Sequence, residues 1–205
     1  MELSGYTLPN NLIAAILAAL DELMGTNGLN SLLNAANLQE WKTAPPASTE
    51  ERDVDFSQFS ALFITLDDLY GQKGSLSLMR RANNTVFNQL WSEHGTFGYI
   101  DNPDFQGLDA SSRIEHGLNT FAQTLSESSD ILANVVVGDA GYQFGFERCP
   151  YCWNADSDSS RCYAFHGLLE SVVNYFAPET KVEIEETTCV AAGETNCTFI
   201  LNLKP

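Results

Sequence analysis

The first third of this 205-residue chain repeats its apolar positions every three or four residues, the spacing of amphipathic helices. The pattern predicts a helix over residues 8–24 and places a stop signal at Gly25. A second, short helix is predicted near residues 29–38. The polar, proline-containing stretch 42–54 predicts a flexible loop between this helical pair, residues 1–41, and the rest of the chain.

Helical spacing continues beyond the loop. Apolar positions predict helices over residues 56–70 and 76–91, which Gly71 separates, and another helix over 110–125. The stretch 94–109 is rich in glycine, aspartate and aromatic residues and has no period, so it predicts a loop. Up to this point the chain therefore predicts helices and loops, but no strand.

The pattern then changes to β-branched and alternating residues. Two strands are predicted around residues 138–141, then a helix over 162–177, then two final strands over 182–191 and 198–203. Strands grouped in this way are typical of α+β proteins, whereas a parallel sheet needs strands that alternate with helices. We therefore predict an α+β domain over residues 55–205, in which helices pack on an antiparallel sheet of about four strands. This domain is expected to form one compact unit with the helical pair.

The charge balance excludes one class of partner. The chain has 27 acidic and 10 basic residues, a formal net charge of −17. Such a surface repels phosphate backbones and anionic lipid, so no nucleic-acid binding is expected. The longest apolar run, residues 12–20, is shorter than a membrane span, and no signal peptide is recognisable. We therefore expect a cytoplasmic protein with no membrane span.

All five cysteines of the chain lie in its last quarter, which suggests a shared chemistry. They are Cys149, Cys152, Cys162, Cys189 and Cys197. The first two form a C-x-x-C motif, whose spacing lets two thiolates face one metal ion or form a redox pair. Disulfides and unrelated buried thiols are the alternatives, but five cysteines leave one over in any all-disulfide scheme. A metal or cluster site is the leading interpretation.

The identity of the metal depends on which groups join the thiols. Alternation along the predicted strand places Glu186 on the face opposite Glu183 and Glu185, where it could be a ligand or a hydrogen-bond partner of a ligand. His166 follows Cys162 by four residues, so it shares a helical face with that thiol and is an alternative ligand. Zinc accepts three sulfurs and one oxygen, whereas an iron–sulfur cluster takes four thiolates. Both cofactors remain open.

Two sequence patterns carry a family resemblance. C-x4-G-x-L followed by V-E-x-x-E-x-x-C-x-A-x-G-x-x-x-C-x-F resembles the C-terminal half of 4-vinyl reductase domains, and L-Y-G-x-x-G-x5-R-R is similar to their helix–glycine–helix junction. The positions that match the first pattern are Cys162, Gly167, Val182, Glu183, Glu186, Cys189, Ala191, Gly193, Cys197 and Phe199. These domains are related to small subunits of the Golgi transport-particle complex and to phenol-sensing domains of bacterial regulators. The resemblance implies a fold of the nitric-oxide-signalling and Golgi-transport ligand-binding type.

The resemblance also implies a metal site. In family members that hold zinc, the matching ligands would be Cys162, Glu186, Cys189 and Cys197. The segment C-P-Y-C, residues 149–152, departs from the family pattern because it adds two thiols to that set. With five thiols available, an iron–sulfur cluster therefore stays an alternative to zinc.

A ligand pocket is the second implication of the resemblance. Relatives bind small hydrophobic molecules, and some are linked to tetrapyrrole and chlorophyll metabolism. Tyr142, Phe144 and Phe146 could line such an apolar pocket between the sheet and the helices. An ordinary filled core is the alternative interpretation of these three rings.

The expected function follows from the metal site and the pocket together. The acidic chain is similar to cyanobacterial family members associated with photosystem II assembly. We expect a non-enzymatic, metal- or iron–sulfur-containing module that binds a small hydrophobic ligand, such as a tetrapyrrole, or a protein partner. Homodimers are common among such domains, and a location in the cytoplasm or at the thylakoid surface is implied. The alternatives are a reductase of a tetrapyrrole vinyl group and a purely structural scaffold.

Overall fold

Two long helical segments form the N-terminal half of the protein, and each breaks at a glycine. The computed structural model describes residues 2–92, 96–138, 141–155 and 162–204. Helix α1 spans Asn10–Ala35 and α2 spans Phe56–Phe87. Gly25 (φ 75°) breaks α1 and Gly71 (φ 67°) breaks α2, in the left-handed backbone region that favours glycine. Both predicted stops are confirmed, and each segment is a pair of shorter helices.

The second half contains a four-stranded antiparallel sheet. Its strands in chain order are β3 (Ala133–Gly138), β4 (Gly141–Phe146), β5 (Lys181–Thr188) and β6 (Cys197–Lys204). Across the sheet the order is β3-β4-β6-β5, with every neighbouring pair antiparallel. This arrangement confirms the predicted α+β class.

Three further helices complete the domain. They are α3 (Pro103–Gln106), α4 (Ala110–Ser128) and α5 (His166–Phe176). Helix α4 contacts β3 and α5, while α5 also contacts α2 and β5. The helices therefore connect the N-terminal half to the sheet.

Several predicted boundaries need correction. The stretch predicted as a loop over 94–109 contains a 3-10 turn, Gly98–Asp101, and α3, because Asn102 caps the backbone of Asp104 and Pro103 suits a first helical position. Residues 94 and 95 of that stretch lie outside the described residues, as do 139 and 140 between the first two strands. The predicted strand 182–191 ends at Thr188, because a register shift interrupts its pairing with β6. The start of the predicted helix 162–177 is a 3-10 turn, Cys162–Phe165.

Two very short strands were not predicted. Strand β1 (Thr7–Leu8) pairs with β2 (Val54–Asp55), which precedes α2. Two residues are too few to show an alternating pattern in a sequence. The pair brings the end of the predicted loop 42–54 back to the N-terminus. The division of the chain at that loop stays a prediction.

Asp55 holds this N-terminal junction together. Its carboxylate accepts hydrogen bonds from the backbone N–H of Ser4 at 2.9 Å, Gly5 at 3.0 Å and Ser57 at 2.8 Å. Gln58 completes the capping box of α2 by accepting from the Asp55 backbone N–H. Burial raises the pKa of Asp55, but the hydrogen bonds from Ser57 and Ser4 outweigh it and lower the pKa to about 2.

Aromatic rings fill the space between the helices and the sheet. Phe121 of α4 lies 6.0 Å from Phe144 of β4, measured between ring centroids. Phe176 of α5 packs directly over Gly117 of α4, where a Cβ atom would lie 2.1 Å from the Phe176 ring. Only a residue without a side chain permits this approach, which explains a glycine inside the buried face of α4.

One helix in the described part of the chain, α1, is long and apolar enough to cross a membrane by length and composition. A buried core helix meets the same criteria. The break at Gly25 leaves residues 10–24 as the apolar half, which at about 1.5 Å per residue extends about 22 Å. This is shorter than a hydrocarbon core of about 30 Å. The composition of α1 is therefore weak evidence for a membrane span.

The Asp55 junction makes a prediction about pH. We expect Asp55→Asn to lower the free energy of unfolding by about 1 kcal/mol at pH 7, because an amide has one acceptor oxygen and cannot accept from Ser4, Gly5 and Ser57 together. Since its folded pKa is depressed, the contribution of Asp55 is present above its unfolded pKa of 3.8 and is lost as pH falls toward 2. Denaturant unfolding at pH 7 and pH 2 measures both values. The exposed Asp68 of α2 is the matched control, and an equal loss in Asp68→Asn would contradict the prediction.

The close approach of α4 and α5 makes a second prediction. We expect Gly117→Ala to lower the free energy of unfolding by about 1–3 kcal/mol, because its methyl group overlaps the Phe176 ring. Gly98→Ala is the control, since its added Cβ meets no atom within 4 Å. Thermal unfolding of the two variants tests the difference. Equal stability would mean that α4 and α5 do not meet at this point.

Candidate metal centre

Five buried cysteines converge from four separate parts of the chain. Cys149 and Cys152 lie on the loop after β4, Cys162 begins the 3-10 turn before α5, Cys189 follows β5, and Cys197 begins β6. Each is at most 4% exposed. Pairing of the strands explains part of this convergence, because Cys197 lies opposite Phe146 at the end of β4. The chain continues from Phe146 directly into the C-x-x-C segment.

Cys162 lies at the centre of the cluster. Its Sγ atom is 3.1 Å from that of Cys149, 3.0 Å from Cys152, 3.9 Å from Cys189 and 3.3 Å from Cys197. Cys152 also approaches Cys189 at 3.4 Å and Cys197 at 3.7 Å. These distances exceed a disulfide bond of about 2.05 Å, and none of the five cysteines forms a disulfide. The structure thus brings together every cysteine that the sequence analysis named.

The ligating atoms form two overlapping groups of four. The first group is Cys149, Cys152, Cys162 and Cys197, and the second is Cys162, Glu186, Cys189 and Cys197. Within each group the ligating atoms all lie within 4.8 Å of one another. The second group is the zinc set that the family resemblance implies. That either group binds a metal stays a prediction at this point.

Glu186 faces the thiols rather than solvent. Its Oε1 atom accepts a hydrogen bond from the Cys162 backbone N–H at 3.3 Å. Its Oε2 atom is buried and has no hydrogen-bond partner among the described residues. Burial and the neighbouring Cys189 and Cys152 thiols raise the pKa of Glu186 to about 9. The Glu186 carboxyl group is therefore positioned as a metal ligand would be, and its Oε2 atom is unpaired in the described part of the chain.

The thiols share few negative charges when no metal is bound. Burial raises the pKa of Cys149 to about 11 and also raises the pKa of Cys162. Hydrogen bonds from the surrounding thiols hold the pKa of Cys152 well below its usual range. A bound cation would replace the remaining protons, because thiolates are the metal-binding form.

The sulfur spacing can be compared with that of a zinc site. Four sulfurs at about 2.3 Å from one zinc ion lie about 3.8 Å from one another in a tetrahedron. The Cys162 sulfur lies 3.0–3.9 Å from the other four, so its longest separation matches that spacing and the others are shorter. The choice between zinc and an iron–sulfur cluster stays a prediction.

The C-x-x-C loop is anchored on α2. Ser60 donates a hydrogen bond to the Trp153 carbonyl oxygen at 2.5 Å. The Tyr151 ring packs against Phe59 at 4.9 Å and Phe63 at 4.6 Å, both on α2. Sequence reasoning missed this anchor, since nothing in the spacing of Ser60 connects it with a loop ninety residues later. The anchor places the first two thiols at a defined position against the other three.

Two other predicted site features have a less direct relation to the cluster. His166 is turned toward β5, where Nε2 lies 3.0 Å from the Ile184 carbonyl oxygen, and toward Glu170. Its Nδ1 atom is buried and has no hydrogen-bond partner among the described residues. Tyr142, Phe144 and Phe146 are all buried, and they line none of the cavities described below. Their role as a ligand pocket stays a prediction.

Glycine at position 167 has a structural reason. It belongs to the sequence pattern that begins at Cys162, and a Cβ atom there would lie 2.9 Å from the Arg80 Cα atom. Arg80 extends along α5 and donates a hydrogen bond from Nε to Glu170 at 2.6 Å. The close contact of α5 with α2 positions the turn that carries the central thiol.

Comparison with known proteins identifies the fold. No protein-family model matches the chain. No curated protein matches it either. Solved structures do: an H-NOX protein from S. oneidensis in the Fe(II) ligation state has a TM-score of 0.61 and 14% identity, with 97% of each chain covered. The chain has the fold of H-NOX domains. An oxygen-binding H-NOX domain related to soluble guanylate cyclases gives 0.59 at 13% identity, covering 97% of this chain and 96% of the other.

This likeness is one of fold alone, since the identities are low. It is compatible with the resemblance to 4-vinyl reductase domains and with the arrangement of helices over four antiparallel strands. H-NOX-type folds bind small ligands, as the oxygen complex of the second relative illustrates. The cysteine cluster is a feature of this chain's own sequence.

The cluster makes a prediction about stability. We expect Cys162→Ser and Cys197→Ser to lose bound metal and to melt at lower temperature, because the metal's binding free energy is also folding free energy. A metal at about 100 times its dissociation constant contributes about 2.7 kcal/mol. Ala164→Ser is the matched control, since it adds a hydroxyl at a buried position in the same turn and removes no ligand. Unchanged metal content in both cysteine variants would contradict the prediction.

Proposed function

We propose that this protein is a non-enzymatic ligand-binding module of the 4-vinyl reductase type, built around a thiolate-rich zinc centre. The observation that carries the proposal is the convergence of five buried thiols and one buried carboxylate inside an H-NOX-type fold. Zinc is proposed because both groups of four match donor sets that zinc accepts, four sulfurs or three sulfurs with one oxygen. An iron–sulfur cluster is the alternative cofactor, and metal analysis of the purified protein distinguishes it from zinc.

The metal's role is to join structural elements. The ligands come from the loop after β4, the turn before α5, and the facing ends of β5 and β6. Apart from the polypeptide backbone, no covalent bond joins these elements, since their cysteines form no disulfide. A bound ion with no redox chemistry therefore acts as a cross-link, which is the usual contribution of zinc sites saturated with protein ligands.

One of the similar structures concerns haem distortion in the H-NOX family. Haem does not fit this chain. A haem needs an axial ligand that faces an open apolar space. Of the histidines in the described residues, His116 is exposed and His166 is bonded to the Ile184 carbonyl. Phe176 fills the space over Gly117 between α4 and α5. We therefore derive no function through haem.

A different cleft offers space for a small ligand. It has a volume of about 370 Å³, within the usual range of ligand sites, and lies between the start of α1, the end of α2 and the end of α4. Leu12, Leu90, Trp91 and Leu125 supply apolar surface, and Glu50, Arg52 and Glu127 add charged groups. We propose this cleft, named the Trp91 cleft, as the site for a small molecule with an apolar part and a polar part.

Ring contacts connect the Trp91 cleft with the metal centre. Trp91 lies edge-on to Phe121 at 5.2 Å, and Phe121 stacks on Phe165 at 5.9 Å. Phe165 belongs to the turn that begins at Cys162. Phe144 and Phe146 also contact Phe165, at 5.6 and 5.0 Å, so two of the three predicted pocket residues border this connection. Ligand binding and metal binding are therefore proposed to affect each other.

The finer parts of the functional hypothesis depend on the sequence resemblance. A tetrapyrrole as ligand, and chlorophyll-protein assembly as its setting, are implied by similarity to 4-vinyl reductase domains. The same holds for a protein partner or homodimer. Exposed Val136 and Val137 on the edge strand β3 would suit such a contact.

Titration with two probes tests the ligand site. In Trp41→Phe/Trp153→Phe protein, Trp91 is the remaining tryptophan, so saturable quenching by protoporphyrin IX or phenol would report binding beside it. We expect Leu90→Arg to weaken binding at least tenfold, because the longer side chain fills space in the cleft and removes an apolar contact. By linkage, removing zinc should change probe affinity by the same factor that the probe changes zinc affinity.

The control for this titration is Leu108→Arg, which changes an exposed leucine outside the Trp91 cleft. It should bind both probes like the parent protein. Equal binding by the Leu90 and Leu108 variants would contradict the proposal that the Trp91 cleft is the ligand site. Absence of stoichiometric metal in purified protein would contradict the proposed function as a whole.

A further inference from the structure

The two groups of metal-ligating residues overlap in a specific way. Cys162 and Cys197 belong to both groups, and their Sγ atoms are 3.3 Å apart. Cys149 and Cys152 lie in the first group, whereas Glu186 and Cys189 lie in the second. A thiolate sulfur has several lone pairs and can bind two ions at once. The overlap is therefore the arrangement that a pair of ions bridged by two sulfurs requires.

We propose that the cluster holds two divalent metal ions, bridged by the sulfurs of Cys162 and Cys197. The first ion binds Cys149 and Cys152 as its other ligands, and the second binds Glu186 and Cys189. This inference rests on the proposed function, because it assumes that the cluster binds metal. It goes further in stating a second ion, a bridged centre and a separate role for the C-x-x-C motif.

Ligand counting supports two ions. Two tetrahedral ions need eight ligand positions, and six side chains supply them if two sulfurs each serve both ions. Each ion then has four protein ligands, which is the composition of zinc sites without an open position. One set is four sulfurs, and the other is three sulfurs with a carboxylate oxygen.

A single ion would leave buried ligands unused. An ion in the second group leaves Cys149 and Cys152 buried beside it at 4% exposure each. An ion in the first group leaves Glu186 in place, with Oε2 buried and without a hydrogen-bond partner among the described residues. A buried carboxylate oxygen without a partner is costly. A second cation beside Glu186 removes that cost.

Charge leads to the same conclusion. Six ionised ligands carry six negative charges, which a single divalent ion reduces by two and a pair of ions by four. Burial in a protein interior strongly penalises charge that is left uncompensated. Two ions therefore leave less uncompensated charge in the interior than one ion does.

The two proposed bridging sulfurs lie close to ligands of both groups. The Cys162 sulfur is 3.1 Å from that of Cys149 and 3.9 Å from that of Cys189, and the Cys152 sulfur is also 3.4 Å from that of Cys189. Cys197 is at the start of β6, next to β5, which carries Glu186. The backbone N–H of Val190 donates to the Cys197 sulfur at 3.3 Å, and the Cys162 N–H donates to Glu186. Such hydrogen bonds stabilise thiolate and carboxylate ligands in a fixed orientation.

Cobalt(II) titration of metal-free, reduced protein tests the proposal. Sulfur-to-cobalt charge-transfer absorption should rise to an end point at two equivalents. Through bridging sulfurs the two cobalt spins couple, so the paramagnetic resonance signal per cobalt should fall as the second equivalent binds. Zinc analysis of the protein as purified should give two ions per chain.

Variants separate the two ions. Glu186→Gln with Cys189→Ser should bind one cobalt with an uncoupled spectrum, and so should Cys149→Ser with Cys152→Ser. Glu185→Gln is the matched control, because Glu185 precedes Glu186 on β5 but is exposed. It should still bind two ions.

The possible outcomes distinguish this inference from the proposed function. One cobalt per chain in the parent protein would overturn the second ion and leave the proposed function standing. Two cobalt ions without spin coupling would overturn the bridge. Iron with acid-labile sulfide in the purified protein would overturn the two-ion centre in favour of a cluster. Protein that binds no metal would overturn both this inference and the proposed function.

Discussion

The burial of five thiols and a carboxylate at one point is the constraint on which the rest of the C-terminal half depends. Without a cation, these groups must hold protons or leave charge in a region shielded from water. With cations, the same groups cross-link a loop, a turn and two strand ends. A sheet of four short strands and an 11-residue helix would otherwise depend on packing alone. In the proposed metal-bound form, the free energy of metal binding would also stabilise the fold of this half.

The aromatic interior places the metal centre in contact with the remainder of the protein. The Phe165 ring, in the turn that begins at Cys162, packs against rings from α4, β4 and β6. The Tyr151 ring, in the C-x-x-C loop, packs against α2. A shift of the ligands must therefore move side chains in several elements, because close-packed interiors transmit displacements. Aromatic rings therefore fill the space between the helices and the sheet in this chain.

The surface charge is consistent with a metal-dependent module. A net charge of −17 concentrates divalent cations near the protein and repels phosphate-bearing partners. Part of that charge is used locally, as in the pairs of Arg52 with Asp130 and Lys204 with Glu183. Such exposed pairs contribute little to stability. The acidic surface therefore bears on association with ions and partners more than on the fold.

The sequence by itself determined the class of the fold and named the candidate residues for a metal site. Helical and alternating periods are local properties, so the α+β order and the stops at Gly25 and Gly71 could be read directly. Five cysteines at one end likewise indicated a metal, and strand alternation turned Glu186 toward them. Only the tertiary structure decided how the ligands overlap, because the positions of Cys162 and Cys197 between the two groups depend on strand register and helix packing. Contacts between residues far apart, such as Ser60 with Trp153 or Gly117 with Phe176, leave no local pattern in a sequence.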